Sequence, residues 1–302
     1  MGLERFFGRR KKLHEGPGKV LYEGPDASTF VQYFKDDVPS SPLAVAASTD
    51  NNKLPLTLAG KGVLNNRISA HLMTRLESMG IPTYFIRSIN MREQLVRKVE
   101  PVPITLTVRN VAAGALSRRL GIKEGTVLPR PLIEFNLINA ELGNPQITED
   151  QIFAFGWADP MEIDEMGMMA WRVNDYLSGM FAGVGLTLID FRLEFGRLFG
   201  EYDELYILLS DEISPDTCRI WDMKTGQKFD KSSATKPDGT GMIEAYQEVA
   251  KRLGLVPDTG IIQGGNVDEQ IAASLESIEN ELSQRRKLRS VSKTPPSKPW
   301  KV

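Results

Sequence analysis

Between Leu188 and Gly196 the chain reads LIDFRLEFG and alternates without a slip. Ile189, Phe191, Leu193 and Phe195 fall on one side of an extended chain, with Asp190, Arg192 and Glu194 on the other. Strand-like patterning predicts further strands over 19–22 and 29–34, on either side of the turn Glu23-Gly24-Pro25-Asp26. Segments 84–87, 94–99, 104–109, 132–137 and 205–210 read the same way, the last joined to LIDFRLEFG through a turn over 200–203. Helical spacing takes over across 62–79, where Val63, Leu64, Ile68, Leu72, Leu76 and Met79 form one stripe and Gly80 stops it. A short helix is predicted over 113–120, up to Gly121, and another begins at Thr148, which has capping-box spacing to Gln151. Asp159-Pro160 opens a long one, with Ile163, Met166, Ala170, Val173, Leu177 and Met180 inward. Its methionines read as core filler rather than a cofactor feature. A last amphipathic helix over 242–253 ends at Gly254.

Two stretches break the pattern. Residues 36–52, with Pro39 and Pro42, have no clear period and read as mostly loop. Beyond Pro257 a Gly-rich stretch leads into a helix predicted over 268–286, with Ile271, Leu275, Ile278 and Leu282 as a narrow seam. That seam predicts docking on the body of the protein or on a second copy of the chain, so a homo-oligomer is an open expectation. The remainder, KLRSVSKTPPSKPWKV, is basic and Pro/Ser-rich and predicts disorder.

Composition narrows the function classes. With 302 residues, 41% hydrophobic and 25% charged, the chain suits one large domain or two smaller ones with ample core. A formal net charge of −2 gives no general reason to expect nucleic-acid binding. No run of about 18 apolar residues is present, so no membrane span is expected. The basic start, MGLERFFGRRKKLHEG, lacks the apolar core of a secretory signal and reads as a solvated tail. One cysteine, Cys218, permits no internal disulfide and predicts a reducing cytoplasm. Two histidines, His14 and His71, with that cysteine argue against a transition-metal site. Any metal is expected to be a hard cation on carboxylates.

Spacing across the predicted hairpin sets Glu194 opposite Asp211, the first residue of DEISPDTCRIWD. Like charges facing each other across a sheet destabilise it, and a divalent cation between them removes the conflict. A solvated outer face is the plainer explanation for Asp190, Arg192 and Glu194. Carboxylates on neighbouring strands holding Mg2+ against a triphosphate are what a nucleotide-dependent ligase requires.

LIDFRLEFG followed by DEISPDTCRIWD resembles the phosphoribosylaminoimidazole-succinocarboxamide synthase (SAICAR synthetase) family, as do GKGVLNNRIS from Gly60, VRNVAAG from Val108 and the Phe155-Gly156-Trp157 turn. The resemblance runs in order over 16–256. It implies an α+β, ATP-grasp-like two-domain architecture with antiparallel sheets and nucleotide bound between the domains. The implied division is a basic tail over 1–15, subdomains over 16–103 and 104–257, and an extra helix and tail over 258–302. The implied reaction joins L-aspartate to the carboxylate of carboxyaminoimidazole ribotide, an imidazole ribotide carboxylate, using ATP and Mg2+. ATP would first phosphorylate the carboxylate, and the aspartate amine would then displace phosphate. By position, Glu194 and Asp211 would bind metal and ATP phosphate, and Lys19 would reach the phosphates from the first hairpin. Arg109 and Arg219 would bind the ribotide. Asp190 and Asp216 would lie beside the reacting groups, with Arg192 balancing their charge. An ion pair for the arginines, or a turn role for Asp216 after Pro215, is the ordinary alternative.

The sequence departs from the family pattern at ligand-contacting positions. Pro17 stands where the first hairpin has a lysine, Ala115 where a serine binds the ribotide phosphate, and Ile138-Asn139-Ala140 where an ATP contact is usual. Asp230-Lys231-Ser232-Ser233-Ala234-Thr235 replaces Asp-Lys-Asp-x-Phe-Arg, and Asp37-Val38-Pro39-Ser40-Ser41-Pro42 replaces a Thr-Ser-Ala-like loop. Each missing phosphate contact would cost about 1.5–3 kcal/mol. Besides a working synthetase, this leaves open a relative that uses ATP and Mg2+ on another acid, and an inactive family member acting as a binding protein.

Overall fold

A computed structural model describes residues 10–38, 56–200, 202, 204–233, 239 and 241–256. The predicted helix over 268–286, the basic C-terminal tail and Thr235 lie outside them. The described residues up to Leu255 form one compact unit containing two large antiparallel sheets.

The first sheet has the order β1(Lys12–Glu15), β2(Lys19–Glu23), β3(Thr29–Phe34), β7(Glu93–Arg97), β6(Phe85–Ser88). The expected tail therefore ends earlier than residue 15, because β1 pairs with β2 and Arg10 reaches Glu93 at 2.8 Å. Its four residues, KLHE, are all exposed, so this edge strand lacks the apolar alternation that would have marked it. A two-residue strand, β4(Asp37–Val38), pairs with β5(Leu56–Thr57), and most of the expected loop falls between them, outside the described residues.

Helix α1(Lys61–Ser78) packs against the first sheet through the predicted stripe, with Val63, Leu64, Ile68, Leu72 and Leu76 buried. Met79 stays exposed just beyond its end. The start of α1 is pressed onto β3. A Cβ at Gly62 would lie 2.5 Å from the Phe34 carbonyl oxygen, so only glycine permits the approach. That contact buries Lys61 beside it, to 1% exposure.

The second sheet runs β10(Gln146–Ile147), β9(Val127–Leu137), β8(Glu100–Val111), β11(Leu186–Phe199), β12(Leu205–Ser210). Helix α2(Ala115–Leu120) follows β8, and α3(Glu149–Ala154) carries the expected Thr148/Gln151 capping box. Asp159 caps α4(Pro160–Gly183), which lies on β11, β12 and β8. Its buried face ends on Phe181 rather than the expected Met180, whose neighbour completes the stripe at the last turn.

β11 is long enough to take two partners on one edge. β12 pairs with its residues 194–199, and β13(Cys218–Asp222) pairs with residues 186–191. The connecting segment 211–217 lies at the gap between them, where the Arg192 amide donates to the Thr217 carbonyl at 3.0 Å. The sheets are joined by a parallel bridge between Thr83 and Leu209, supported by Tyr84 N–H to Leu209 O at 2.9 Å. Helix α5(Met242–Arg252) closes the unit against α1. Among the described residues, no helix is long and apolar enough to cross a membrane.

Candidate active site

Two charged clusters sit on the polar side of β11, four residues apart. The first centres on Asp190. Arg109 on β8 and Arg219 on β13 are its register partners on the two flanking strands, so a buried carboxylate meets a guanidinium on each side. Arg109 Nη1 lies 2.8 Å and Arg219 Nη1 2.5 Å from the same Asp190 oxygen. Arg109 Nε also donates to Glu134 at 2.6 Å, and Arg119 pairs with the other Glu134 oxygen. Gly114 makes room: a Cβ there would lie 2.6 Å from Arg219 Nη2, and its φ of 56° is costly for other residues. Arg192, expected to balance the charge of Asp190 and Asp216, is exposed and forms no ion pair with either among the described residues; its charge bears on Glu194, whose carboxyl it pulls down, and on Lys231.

The second cluster joins the sheets. Lys19, the first residue of β2, pairs with Asp211 and lies 3.1 Å from Glu212. Glu194 does not face Asp211 as expected; its register partner is Ser210. Asp211, one residue further, has a φ of 62°, a left-handed conformation that aspartate tolerates better than most side chains. Its charge still bears on Glu194: burial first, then Asp211, push the Glu194 carboxyl up to about 7. Burial also raises the Glu212 carboxyl, and its Oε2 is buried with no hydrogen-bond partner among the described residues. For Lys19, burial opposes the charge, yet Asp211 and Glu212 outweigh it and raise the pKa. Three carboxylates thus gather around the Lys19 ammonium, while Arg192 also pulls Glu194 down and Lys61 does the same for Glu212.

Beside these clusters, Asp216 is enclosed. Its carboxylate receives Lys61, Asn65 Nδ2 at 2.7 Å and the Tyr246 hydroxyl at 2.6 Å. Burial and the Asp216 charge raise the Tyr246 pKa far enough to keep that hydroxyl a donor. Lys231 donates to the Asp216 carbonyl at 3.2 Å, and burial followed by Arg192 holds its pKa down to about 8. Burial pushes the Cys218 thiol up to about 12, so it is inert at neutral pH.

The model of the SAICAR synthetase family matches residues 12–253. A phosphoribosylaminoimidazole-succinocarboxamide synthase of Rhodospirillum centenum is 54% identical over 252 residues, covering 83% of this chain and 95% of the relative. Synthase 1 of Agrobacterium fabrum is 52% identical over 256 residues, covering 85% and 96%. The chain belongs to the SAICAR synthetase family.

Solved structures agree. The Ehrlichia chaffeensis synthase superposes with a TM-score of 0.73 at 39% identity, covering 82% of this chain and all of that one. A SAICAR synthetase in complex with ADP gives 0.71 at 35% identity, again covering 82% of this chain and 100% of the other. The α+β fold expected from the sequence is the fold of this family.

Within this SAICAR synthetase fold, the residues expected at the site fall into three groups. Lys19, Glu194 and Asp211 come together, as do Arg109, Asp190 and Arg219, while Asp216 is enclosed and Arg192 is exposed. Glu134, Glu212, Lys61, Asn65 and Tyr246 were not singled out from the sequence. Lys61 had one signal, its place between two glycines in GKG. Tyr246 had none, because a tyrosine on the apolar stripe of α5 reads as core.

Proposed function

We propose that this chain is an ATP-dependent carbon–nitrogen ligase of purine biosynthesis, joining L-aspartate to the carboxylate of carboxyaminoimidazole ribotide. The observation that carries this reading is the meeting of Lys19, Asp211, Glu212 and Glu194 where the two sheets join. That arrangement occurs in a family with a solved member bound to ADP. The nucleotide would lie between the halves 16–103 and 104–257, with Lys19 exchanging a carboxylate for a phosphate oxygen.

Mg2+ fits the donor set. Among the described residues Lys19 pairs with Asp211 and Glu212, no ion pair reaches Glu194, and a buried Glu212 oxygen has no hydrogen-bond partner. Glu194 and Asp211 would hold the ion, and phosphate and water oxygens complete such sites. Bound there, it supplies charge neutralisation for the phosphates.

In the reaction, an oxygen of the ribotide carboxylate attacks the γ-phosphorus and ADP departs, leaving an acyl phosphate. The aspartate amine then attacks the acyl carbon, inorganic phosphate leaves and the nitrogen gives up a proton. No protein nucleophile is required; the chain's task is to gather anions and hold them in line. Arg109 and Arg219 hold the ribotide, with Asp190 fixing both guanidiniums. Arg192 and Lys231 add positive charge beside them. ATP-dependent chemistry and a single buried thiol suit the cytoplasm.

A coupled ADP-release assay tests this. ADP should form only when Mg2+, aspartate and the carboxylated ribotide are all present. ADP release that ignores the ribotide, or no release at all, would overturn the assignment and point to another acid substrate or to a binding role.

A further inference from the structure

We propose that Lys61, Asn65 and Tyr246 are positioning residues: they clamp Asp216, and through it set the segment 211–217 that presents Asp211 and Glu212. The consequence for nucleotide affinity rests on the nucleotide reading of the Lys19–Asp211–Glu212 cluster.

A carboxylate offers about four acceptor sites. Three of those on Asp216 are taken, by Lys61 and Asn65 on Oδ2 and by Tyr246 on Oδ1. A side chain so saturated, and 8% exposed, is a fixed point rather than a free base. Lys61 and Asn65 are four apart on α1 and share a face, while Tyr246 comes from α5, which packs on α1. Asp216 therefore ties the 211–217 segment to two helices at once. It also lies near the turn leading into Lys19, since a Cβ added at Gly18 would come within 3.8 Å of its Oδ2.

Packing alone does not require this arrangement. A fully buried ammonium is costly, and apolar residues of similar volume usually replace such a pair without loss of stability. The segment it holds has its own demand for restraint. Asp211 is left-handed, and such a conformation persists only where the surroundings over-determine it. Outer partners of this kind orient ligating groups, and their loss typically costs tenfold or more in affinity.

The test compares Tyr246→Phe with Val249→Ala, a cavity variant on the same face of α5 that does not touch Asp216. Two measurements are made on the full-length chain: amide hydrogen exchange over 216–218 without ligand, and MgADP titration by calorimetry. Tyr246→Phe should quicken that exchange about tenfold and raise the MgADP Kd about tenfold, while Val249→Ala lowers Tm and leaves both within about twofold. Lys61→Met should act in the same direction and more strongly; should it fail to fold, the tyrosine pair still decides. Equal effects of Tyr246→Phe and Val249→Ala, or unchanged exchange in Tyr246→Phe, would overturn the clamp. A wild type that binds no MgADP would overturn the nucleotide reading, and the exchange comparison would still judge the clamp.

Discussion

Asp190 and Glu194 stand on the same side of one strand, yet the protein treats them in opposite ways. Around Asp190, three guanidiniums face two carboxylates, and every charge has a partner within the chain. Around Glu194, three carboxylates gather on the Lys19 ammonium, and burial with Asp211 pushes the Glu194 carboxyl up to about 7 against the pull of Lys19 and Arg192. The difference comes from neighbours rather than from the strand. Asp190 is flanked in register by two arginines, whereas Glu194 is flanked by Ser210 and Thr105. On the proposed reading, the cluster closed on itself would present a rigid cationic surface to an anionic substrate, and the cluster rich in carboxylates would be completed by a cation and what it carries.

The comparison breaks most visibly at Arg109. Replacing it with Met strips the shared cation from Glu134 and Asp190 and should cost about 3–5 kcal/mol of stability by urea denaturation. A loss near zero would mean that the first cluster is not a closed network. Next comes Arg219→Ala, which should weaken ribotide by about 2–3 kcal/mol in KM and leave the ATP KM nearly unchanged. Equal losses for both ligands would erase the distinction between the clusters. Ala115→Ser, at the first residue of α2, should restore a phosphate contact and tighten the ribotide by about 1.5 kcal/mol. No change would indicate that Lys231 or another donor already serves that phosphate.

The last test concerns the second cluster alone. Glu194→Gln should raise metal-free stability, by relieving repulsion, and abolish the Tm shift given by MgATP. The sign of the pH dependence follows from its raised carboxyl. With a folded value of about 7 and an ordinary value of 4.5, the folded state takes up the proton first as pH falls. Glu194 therefore destabilises the metal-free fold above about pH 7, and stability recovers as pH drops toward 4.5. Melts from pH 8 to 5 without metal should show wild type gaining on Glu194→Gln. A constant difference between them would mean that Glu194 is not repelled.

Local pattern alone determined most of the framework: the helices α1, α4 and α5, the capping box of α3, and LIDFRLEFG as a strand with charges on one side. Helix and strand periods follow from backbone geometry, so apolar residues at those spacings specify element and buried face together. The motifs of β11 and the segment after β12 likewise singled out Asp190, Glu194, Asp211 and Asp216, though not Glu212. Edge strand β1 was hidden because exposed pairing leaves no apolar trace. Only the tertiary structure decided which charges meet. Register shifted Glu194 onto Ser210, and the left-handed Asp211 kept the acids close enough to repel. Two flanking strands placed Arg109 and Arg219 on Asp190 and left Arg192 exposed, and two helices brought Lys61 and Tyr246 to Asp216 from opposite ends of the chain. Coulomb and hydrogen-bond energies depend on separations of a few ångströms between residues far apart in sequence, and such separations exist only once the sheets and helices have packed.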